Sequence, residues 1–201
     1  FAIAQRALLV HSPQGNILWD CISLIDEPTV AAVKALGGIS AIAVSHPHYY
    51  SSMVEWSRAF DAPVYLHAAD REWVMRPDPC LRFWEGETQS IEKGLTLIRC
   101  GGHFAGGTVL HWDRGAGGQG ALLSGDILTV VSDRRYVSFM YSYPNLIPLP
   151  ADRVRKIAAA VAPYRFDRIY GAWWPRVVQS GGNEAVSRSA QRYIRALEAD
   201  R

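Results

Sequence analysis

Short apolar stretches, each ended by a glycine, a proline or a polar side chain, follow one another along the whole chain. Runs of strand length that alternate with segments of helical period are typical of α/β domains. Two runs around Pro13-Gln14-Gly15 predict a β-hairpin, and Ile39–Ser45 reads as a buried strand. The order therefore predicts a mixed α/β domain in which hairpins and strand–helix–strand units are mingled, and not a regularly alternating doubly wound sheet.

The predicted elements follow from apolar period and from turn residues. The strands are Arg6–Ser12, Asn16–Cys21, Ile39–Ser45, Pro63–His67, Leu95–Cys100, Thr108–Asp113, Ala121–Ser124 and Phe166–Tyr170. The helices are Thr29–Leu36, Ser52–Phe60, Ala69–Met75, Asp152–Ala162 and Glu184–Ala199. Ser52 with Glu55 predicts a capping box. The glycine-rich segment 115–120 is predicted to be a flexible hairpin loop.

Composition narrows the class of protein. A chain of 201 residues with 49% hydrophobic and 20% charged residues can bury a core and is not disordered. We expect a single domain over residues 1–201, lacking an upstream N-terminal segment because the chain begins at Phe1. Three widely spaced cysteines without a CxxC motif favour a reducing, cytoplasmic location.

The charge pattern argues against polyanionic partners. The formal net charge is only +2, and basic residues form no run. Nucleic-acid and acidic-membrane binding are therefore not expected. No apolar stretch reaches the roughly 20 residues of a membrane span.

Metal-ligating side chains follow three of the predicted strands. His46 and His48 lie two residues apart after one strand, where extended backbone would point both imidazoles to the same side. His103 lies between glycine pairs after a second strand, and Asp126 follows a third. Because open α/β sheets bind ligands at strand ends, these four residues predict a metal site. His67 is interpreted as structural, and no function is assigned to His11 or His111.

This order of motifs resembles the metallo-β-lactamase fold superfamily. The pattern is an HxH motif, later a glycine-flanked histidine, and later Gly125-Asp126 at a strand end. Asp20 and the segment 62–65 are further points of similarity. The resemblance covers most of the chain, from the Asn16–Cys21 strand to the last helix. It implies a four-layer αβ/βα sandwich of two mixed β-sheets flanked by helices, with metal at one edge and metal-assisted hydrolysis as its chemistry.

The sequence departs from this family at one of the two metal sites. The family motif HxHxDH here reads His46-Pro47-His48-Tyr49-Tyr50-Ser51, so Tyr50 and Ser51 replace two ligands. Near the end, Gly171-Ala172-Trp173 stands where the family has Gly-His. The resemblance therefore implies a mononuclear site of His46, His48, His103 and Asp126.

Three imidazoles suit one divalent ion per chain. Zinc is the expected metal, and iron and manganese are alternatives. Asp126 is predicted either to ligate the ion or to act on the attacking water as a general base. Tyr50 and Trp173 adjoin the positions of the lost second site, and we expect them to line a pocket for an apolar or aromatic substrate. Tyr50 is also predicted to donate a hydrogen bond to an oxyanion.

Three functions fit these observations. The first is a mononuclear metal-dependent hydrolase that cleaves an ester, thioester or lactone-type bond of a small-molecule substrate. The second is a non-catalytic or metal-free binding member of the fold. The third is a mono-iron redox enzyme. The sequence leaves the substrate and the oligomeric state open.

Overall fold

The structure of the chain is a computed structural model that describes residues 5–199. These residues form two compact units, one ending at Glu85 and the other beginning at Gly86. Each unit contains its own mixed sheet with helices, so the prediction of a mixed α/β fold is confirmed. The single domain over residues 1–201 stays a prediction.

The N-terminal unit is built on a five-stranded sheet whose strands lie in chain order. The first pair is antiparallel, and the other three pairs are parallel. Every residue of the second and third strands is buried, as expected for strands covered on both faces. The strands are β1 (Leu8–Val10), β2 (Ile17–Trp19), β3 (Ala41–Ala43), β4 (Val64–His67) and β5 (Leu81–Trp84).

Two α-helices and two 3₁₀ helices connect these strands: α1 (Glu27–Ala35), the 3₁₀ helix Pro47–Tyr49, α2 (Met53–Phe60) and the 3₁₀ helix Ala68–Trp73. Helix α1 begins two residues before the predicted start at Thr29, because Pro28 fits the first turn of a helix. The Asp26 carboxylate caps it by accepting a hydrogen bond from the Thr29 N–H at 2.9 Å.

The predicted capping box of α2 is wrong. The Ser52 side chain does not cap the helix but donates a hydrogen bond to the Ile22 carbonyl at 2.7 Å. Glu55 instead forms an ion pair with Arg76 at 2.6 Å. A long-range contact has therefore replaced the local one that the sequence pattern indicated.

The C-terminal unit is built on a six-stranded sheet of order β15-β14-β9-β8-β7-β6. The β14–β9 pair is parallel, and the others are antiparallel. Two small ribbons, β10–β11 and β12–β13, accompany the sheet. The strands are β6 (Thr88–Glu92), β7 (Leu95–Arg99), β8 (Thr108–Trp112), β9 (Ala121–Gly125), β10 (Thr129–Val130), β11 (Val137–Ser138), β12 (Met140–Ser142), β13 (Ile147–Pro148), β14 (Arg168–Gly171) and β15 (Val177–Val178).

The helices of this unit are the short α3 (Gly115–Gly118), α4 (Ala151–Val161) and α5 (Gly182–Glu198). The glycine-rich segment joins the antiparallel strands β8 and β9, so it does connect a hairpin, but it forms a tight turn that includes Ala116 at φ 51°. Helices α4 and α5 contribute to a core that also contains Phe139, Phe166 and Ile169. No helix among residues 5–199 has the length and hydropathy needed to cross a membrane.

We expect Ile157→Ala to destabilise this unit, because Ile157 is fully buried in the core beneath α4. The loss of a buried isoleucine side chain costs about 2–5 kcal/mol of unfolding free energy. The neighbouring exposed Lys156→Ala is the matched control, and it should change that value by less than about 0.5 kcal/mol. Urea denaturation of both variants measures the difference, and equal curves would contradict the assigned core.

Candidate metal centre

The two histidines of the HxH motif meet in a tight turn after β3. His46 is fully buried in extended backbone, and His48 lies exposed in the 3₁₀ helix Pro47–Tyr49. The expectation that extended backbone aligns both rings is therefore wrong, because Pro47 starts a turn between them. The turn still brings Nε2 of His46 to 3.1 Å from Nδ1 of His48. Two nitrogens bound to one ion at about 2 Å lie roughly 3–3.4 Å apart, so this spacing suits shared coordination.

A chain of hydrogen bonds fixes the orientation of His46. The carboxylate of Asp20, itself buried after β2, accepts a hydrogen bond from the Ser45 N–H at 2.7 Å. The hydroxyl of Ser45 lies 2.8 Å from Nδ1 of His46. Because Ser45 engages Nδ1, the opposite nitrogen is directed toward His48. Such second partners orient a ligating imidazole.

Burial also sets the charge of His46. Desolvation, with a further contribution from the nearby His48, holds the pKa of His46 well below its usual range. The ring is therefore neutral at pH 7, which is the form of an imidazole that binds metal ions.

His103 is held in a compact glycine loop after β7. The N–H groups of Cys100 and Gly101 both donate hydrogen bonds to the Gly107 carbonyl, at 2.8 and 2.9 Å. A Cβ at Gly107 would lie 2.2 Å from the Gly101 carbonyl oxygen, so this close approach of the backbone requires glycine. Nε2 of His103 lies 3.4 Å from Oδ1 of Asp126.

Asp126 directly follows β9 and is almost fully buried. Its backbone carbonyl accepts hydrogen bonds from the hydroxyls of Thr129 and Tyr143 at 3.1 and 3.2 Å. The two hydroxyl oxygens also lie against each other. Burial raises the pKa of Tyr143, which keeps this phenol protonated. The residues that hold Asp126 were not assigned from the sequence, because they lie on separate turns and strands.

Four of the residues singled out in the sequence form a possible metal site. His46, His48, His103 and Asp126 each offer one ligand atom, and these atoms all lie within 4.8 Å of one another. Three nitrogens and one carboxylate oxygen form a donor set that fits zinc, iron or manganese.

The other predicted site residues are placed as follows. Tyr50 ends the 3₁₀ turn after His48 and is half-buried. Burial, followed by the charges of Asp70 and Asp20, raises the pKa of its phenol, which is therefore neutral at pH 7. Trp173 is half-buried and packs edge-on against Tyr143, with ring centroids 6.3 Å apart. The roles of Tyr50 and Trp173 stay predictions.

The remaining histidines have structural contacts. His67 accepts a hydrogen bond from the Ala69 N–H at 3.1 Å and packs edge-on against Trp84. Nε2 of His111 lies 2.9 Å from the Arg165 carbonyl oxygen. These contacts agree with the interpretation of His67 as structural. Cys21, Cys80 and Cys100 form no disulfide.

Comparison with known proteins gives one close relative in sequence. The YmaE protein of Bacillus subtilis (strain 168), which is uncharacterised, is 55% identical over 200 residues, covering 100% of this chain and 73% of its own length. No family model matches the chain.

Solved structures resemble the chain in fold at low sequence identity. TTHA1623 in a di-iron-bound form has a TM-score of 0.64 at 22% identity, covering 90% of this chain and 92% of its own. The metallo-β-lactamase SMB-1, in a complex with mercaptoacetic acid, has a TM-score of 0.67 at 18% identity, covering 99% and 92%. The metallo-β-lactamase DIM-1 has a TM-score of 0.69 at 13% identity, covering 97% and 87%.

The contact between Ser45 and His46 generates a prediction on metal affinity. Loss of a partner that orients a ligating histidine typically weakens metal binding by about 10–100-fold, so Ser45→Ala should do the same. Ser51→Ala, an exposed serine of the same segment, is the matched control and should leave affinity unchanged. Competition with a chromophoric zinc chelator measures both, and equal affinities for the two variants would disprove the orienting role.

Proposed function

The chain belongs to the family of Bacillus subtilis YmaE and has the metallo-β-lactamase fold, and on this premise we propose that it is a mononuclear metal-dependent hydrolase. Its reaction is the attack of water on an ester, thioester or lactone-type bond of a small apolar or aromatic substrate. One observation carries the proposal: the ligand atoms of three histidines and Asp126 lie within 4.8 Å of one another.

A single ion per chain is favoured by the residues around the HxH motif. Tyr50 and Ser51 follow the two histidines where the family motif has further ligands, and neither is a usual zinc ligand. Among residues 5–199, the set described above is the one group of three or more histidine, cysteine or acidic side chains with this spacing.

The residues of the set differ in what they contribute to the proposed reaction. When bound, a divalent ion supplies Lewis acidity and lowers the pKa of a coordinated water to about 7. His46, held by Ser45, and His48 present ring nitrogens that lie 3.1 Å apart. The carboxylate of Asp126 either completes the donor set or accepts the proton of the attacking water, and its loop is fixed by Thr129 and Tyr143.

Tyr50 and Trp173 are proposed to act on the substrate and not on the metal. A phenol whose pKa is raised stays protonated and can donate a hydrogen bond to the oxyanion that forms during hydrolysis. The indole of Trp173 offers an apolar surface, which suits an aromatic or aliphatic acyl group.

The two alternative functions differ from the hydrolase in the metal that they require. A mono-iron redox enzyme requires iron in the same donor set, and the di-iron-bound form of TTHA1623 keeps iron a candidate. A non-catalytic binding protein requires no metal. Elemental analysis of the purified protein separates the three: about one zinc supports the hydrolase, iron the redox enzyme, and no metal the binding protein.

The first variant test concerns metal content. We expect His103→Ala to lose most bound metal, because it removes one of three imidazole ligands. Tyr50→Ala should keep its metal, since Tyr50 is not proposed as a ligand. His11→Ala, which deletes an exposed imidazole, is the control. Mass spectrometry of each variant gives the stoichiometry, and two ions per wild-type chain would contradict the mononuclear site.

The second test concerns the Tyr50 hydroxyl. Removal of an oxyanion donor lowers turnover by about 10²–10³, so Tyr50→Phe should lose that factor in kcat while keeping its metal. The control is Tyr141→Phe, because that phenol is exposed. Esters, thioesters and lactones are first screened against the zinc-loaded protein to find a substrate. Full turnover by Tyr50→Phe would show that the residue only fills space.

A further inference from the structure

Arginines from two distant parts of the chain gather around one tyrosine in the C-terminal unit. The guanidinium carbons of Arg135, Arg188 and Arg192 lie 5.8, 5.2 and 4.7 Å from the centre of the Tyr136 ring. The negative face of an aromatic ring attracts such cations. Folding thus creates a concentration of positive charge that no basic run in the sequence indicates.

Helix α5 provides most of this charge along one face. Arg188, Arg192 and Arg195 follow each other at spacings of four and three residues, which places them on the same side of a helix. All three side chains are exposed. We call these three residues the α5 arginine cluster.

The α5 arginine cluster has no acidic partner in the part of the chain that the structure describes, since no ion pair there includes any of its members. The nearby carboxylate of Asp133 is engaged by Arg135, at 2.7 Å. The hydrogen bonds of Arg135, with a smaller contribution from the charge of Arg192, lower the pKa of Asp133 to about 2. One carboxylate thus faces several guanidinium groups, although the whole chain has a net charge of only +2.

The cluster borders a surface recess of about 470 Å³. Its lining is Tyr136, Arg188, Gln191, Arg192, Arg195, Ala196 and Ala199. An open recess of this size, with three guanidinium groups at its wall and small alanines beside them, can admit a compact anion with several oxygens. Guanidinium groups form paired hydrogen bonds with phosphate oxygens.

We propose that this recess binds a multiply charged phosphate group, held by the α5 arginine cluster beside Tyr136. The ligand is either a free polyphosphate or the phosphate of a lipid headgroup. The three arginines supply charge and directed hydrogen bonds, and Gln191 adds a further donor. This site is independent of the proposed hydrolase function, because none of its residues belongs to the candidate metal centre.

Calorimetric titration of the full chain with sodium tripolyphosphate at low ionic strength tests the proposal. The triple variant R188Q/R192Q/R195Q keeps good helix formers on an exposed face, so α5 should remain folded. Each lost charged contact should weaken binding by about tenfold. The matched control K34Q/K93Q/R114Q removes the same charge from exposed positions elsewhere and should bind as the wild type does.

Vesicles identify the source of the phosphate. Sedimentation with phosphatidylcholine vesicles, with and without phosphatidic acid, is measured for the same three proteins. Tripolyphosphate binding that the triple variant loses supports a free polyphosphate. Binding only to the phosphatidic acid vesicles, again lost in the triple variant, supports a lipid headgroup.

Other results overturn the proposal. One is that the wild type binds neither probe. The others are that the triple variant binds as strongly as the wild type, or that the control variant loses as much binding as the triple variant. Binding of duplex DNA without binding of either probe would replace it with a nucleic-acid surface. The circular dichroism spectrum and the metal content of the triple variant should equal those of the wild type. A loss of probe binding then comes neither from unfolding nor from the candidate metal centre.

Discussion

The hydrogen bond between the Asp20 carboxylate and the Ser45 N–H, 2.7 Å long, is the interaction on which the HxH half of the site depends. Asp20 directly follows β2, and its backbone has a left-handed conformation, at φ 62°, which aspartate tolerates better than most residues. Its backbone N–H remains bonded to Ala43, at 2.9 Å, so the ends of β2 and β3 are fixed to each other. Ser45 is thereby held where its hydroxyl can orient His46.

The other half of the candidate site is held by backbone contacts and by two side-chain hydroxyl groups. The loop that carries His103 closes on itself through the Gly107 carbonyl, and the close contact there admits no side chain. The turn after β9 is fixed by hydroxyl groups that bind the Asp126 carbonyl. In both halves hydrogen bonds hold the backbone that carries the candidate ligands, which would reduce the cost of ordering these residues on binding.

The sequence was sufficient for features that depend on local pattern. The bounds of α4 and α5 were predicted within two residues because their apolar period is regular. The four candidate ligands could be selected because glycines and strand ends mark them. Features set by distant contacts could not be found this way. Ser52 binds Ile22 instead of capping its helix, and Ser45 gains its role only through Asp20.

Very short strands and clusters of surface charge could not be predicted from the sequence either. The ribbons β10–β11 and β12–β13 have strands of two or three residues, too short to show a period. The arginines around Tyr136 come from segments about fifty residues apart, so no pattern along the sequence predicts that they lie close together.

The parallel pairing of β9 with β14 has a consequence for synthesis of the chain. Strands β6 to β9 pair with their neighbours in sequence and can form as soon as they are made. The outer edge of β9, with the apolar Leu122 and Leu123, finds its partner only when Arg168–Gly171 has been translated. Long-range pairing is slow, and an unpaired apolar edge invites association with other chains. The strand that leads into Asp126 thus keeps one edge open until β14 has been made, so we expect a chain truncated before β14 to be prone to aggregation.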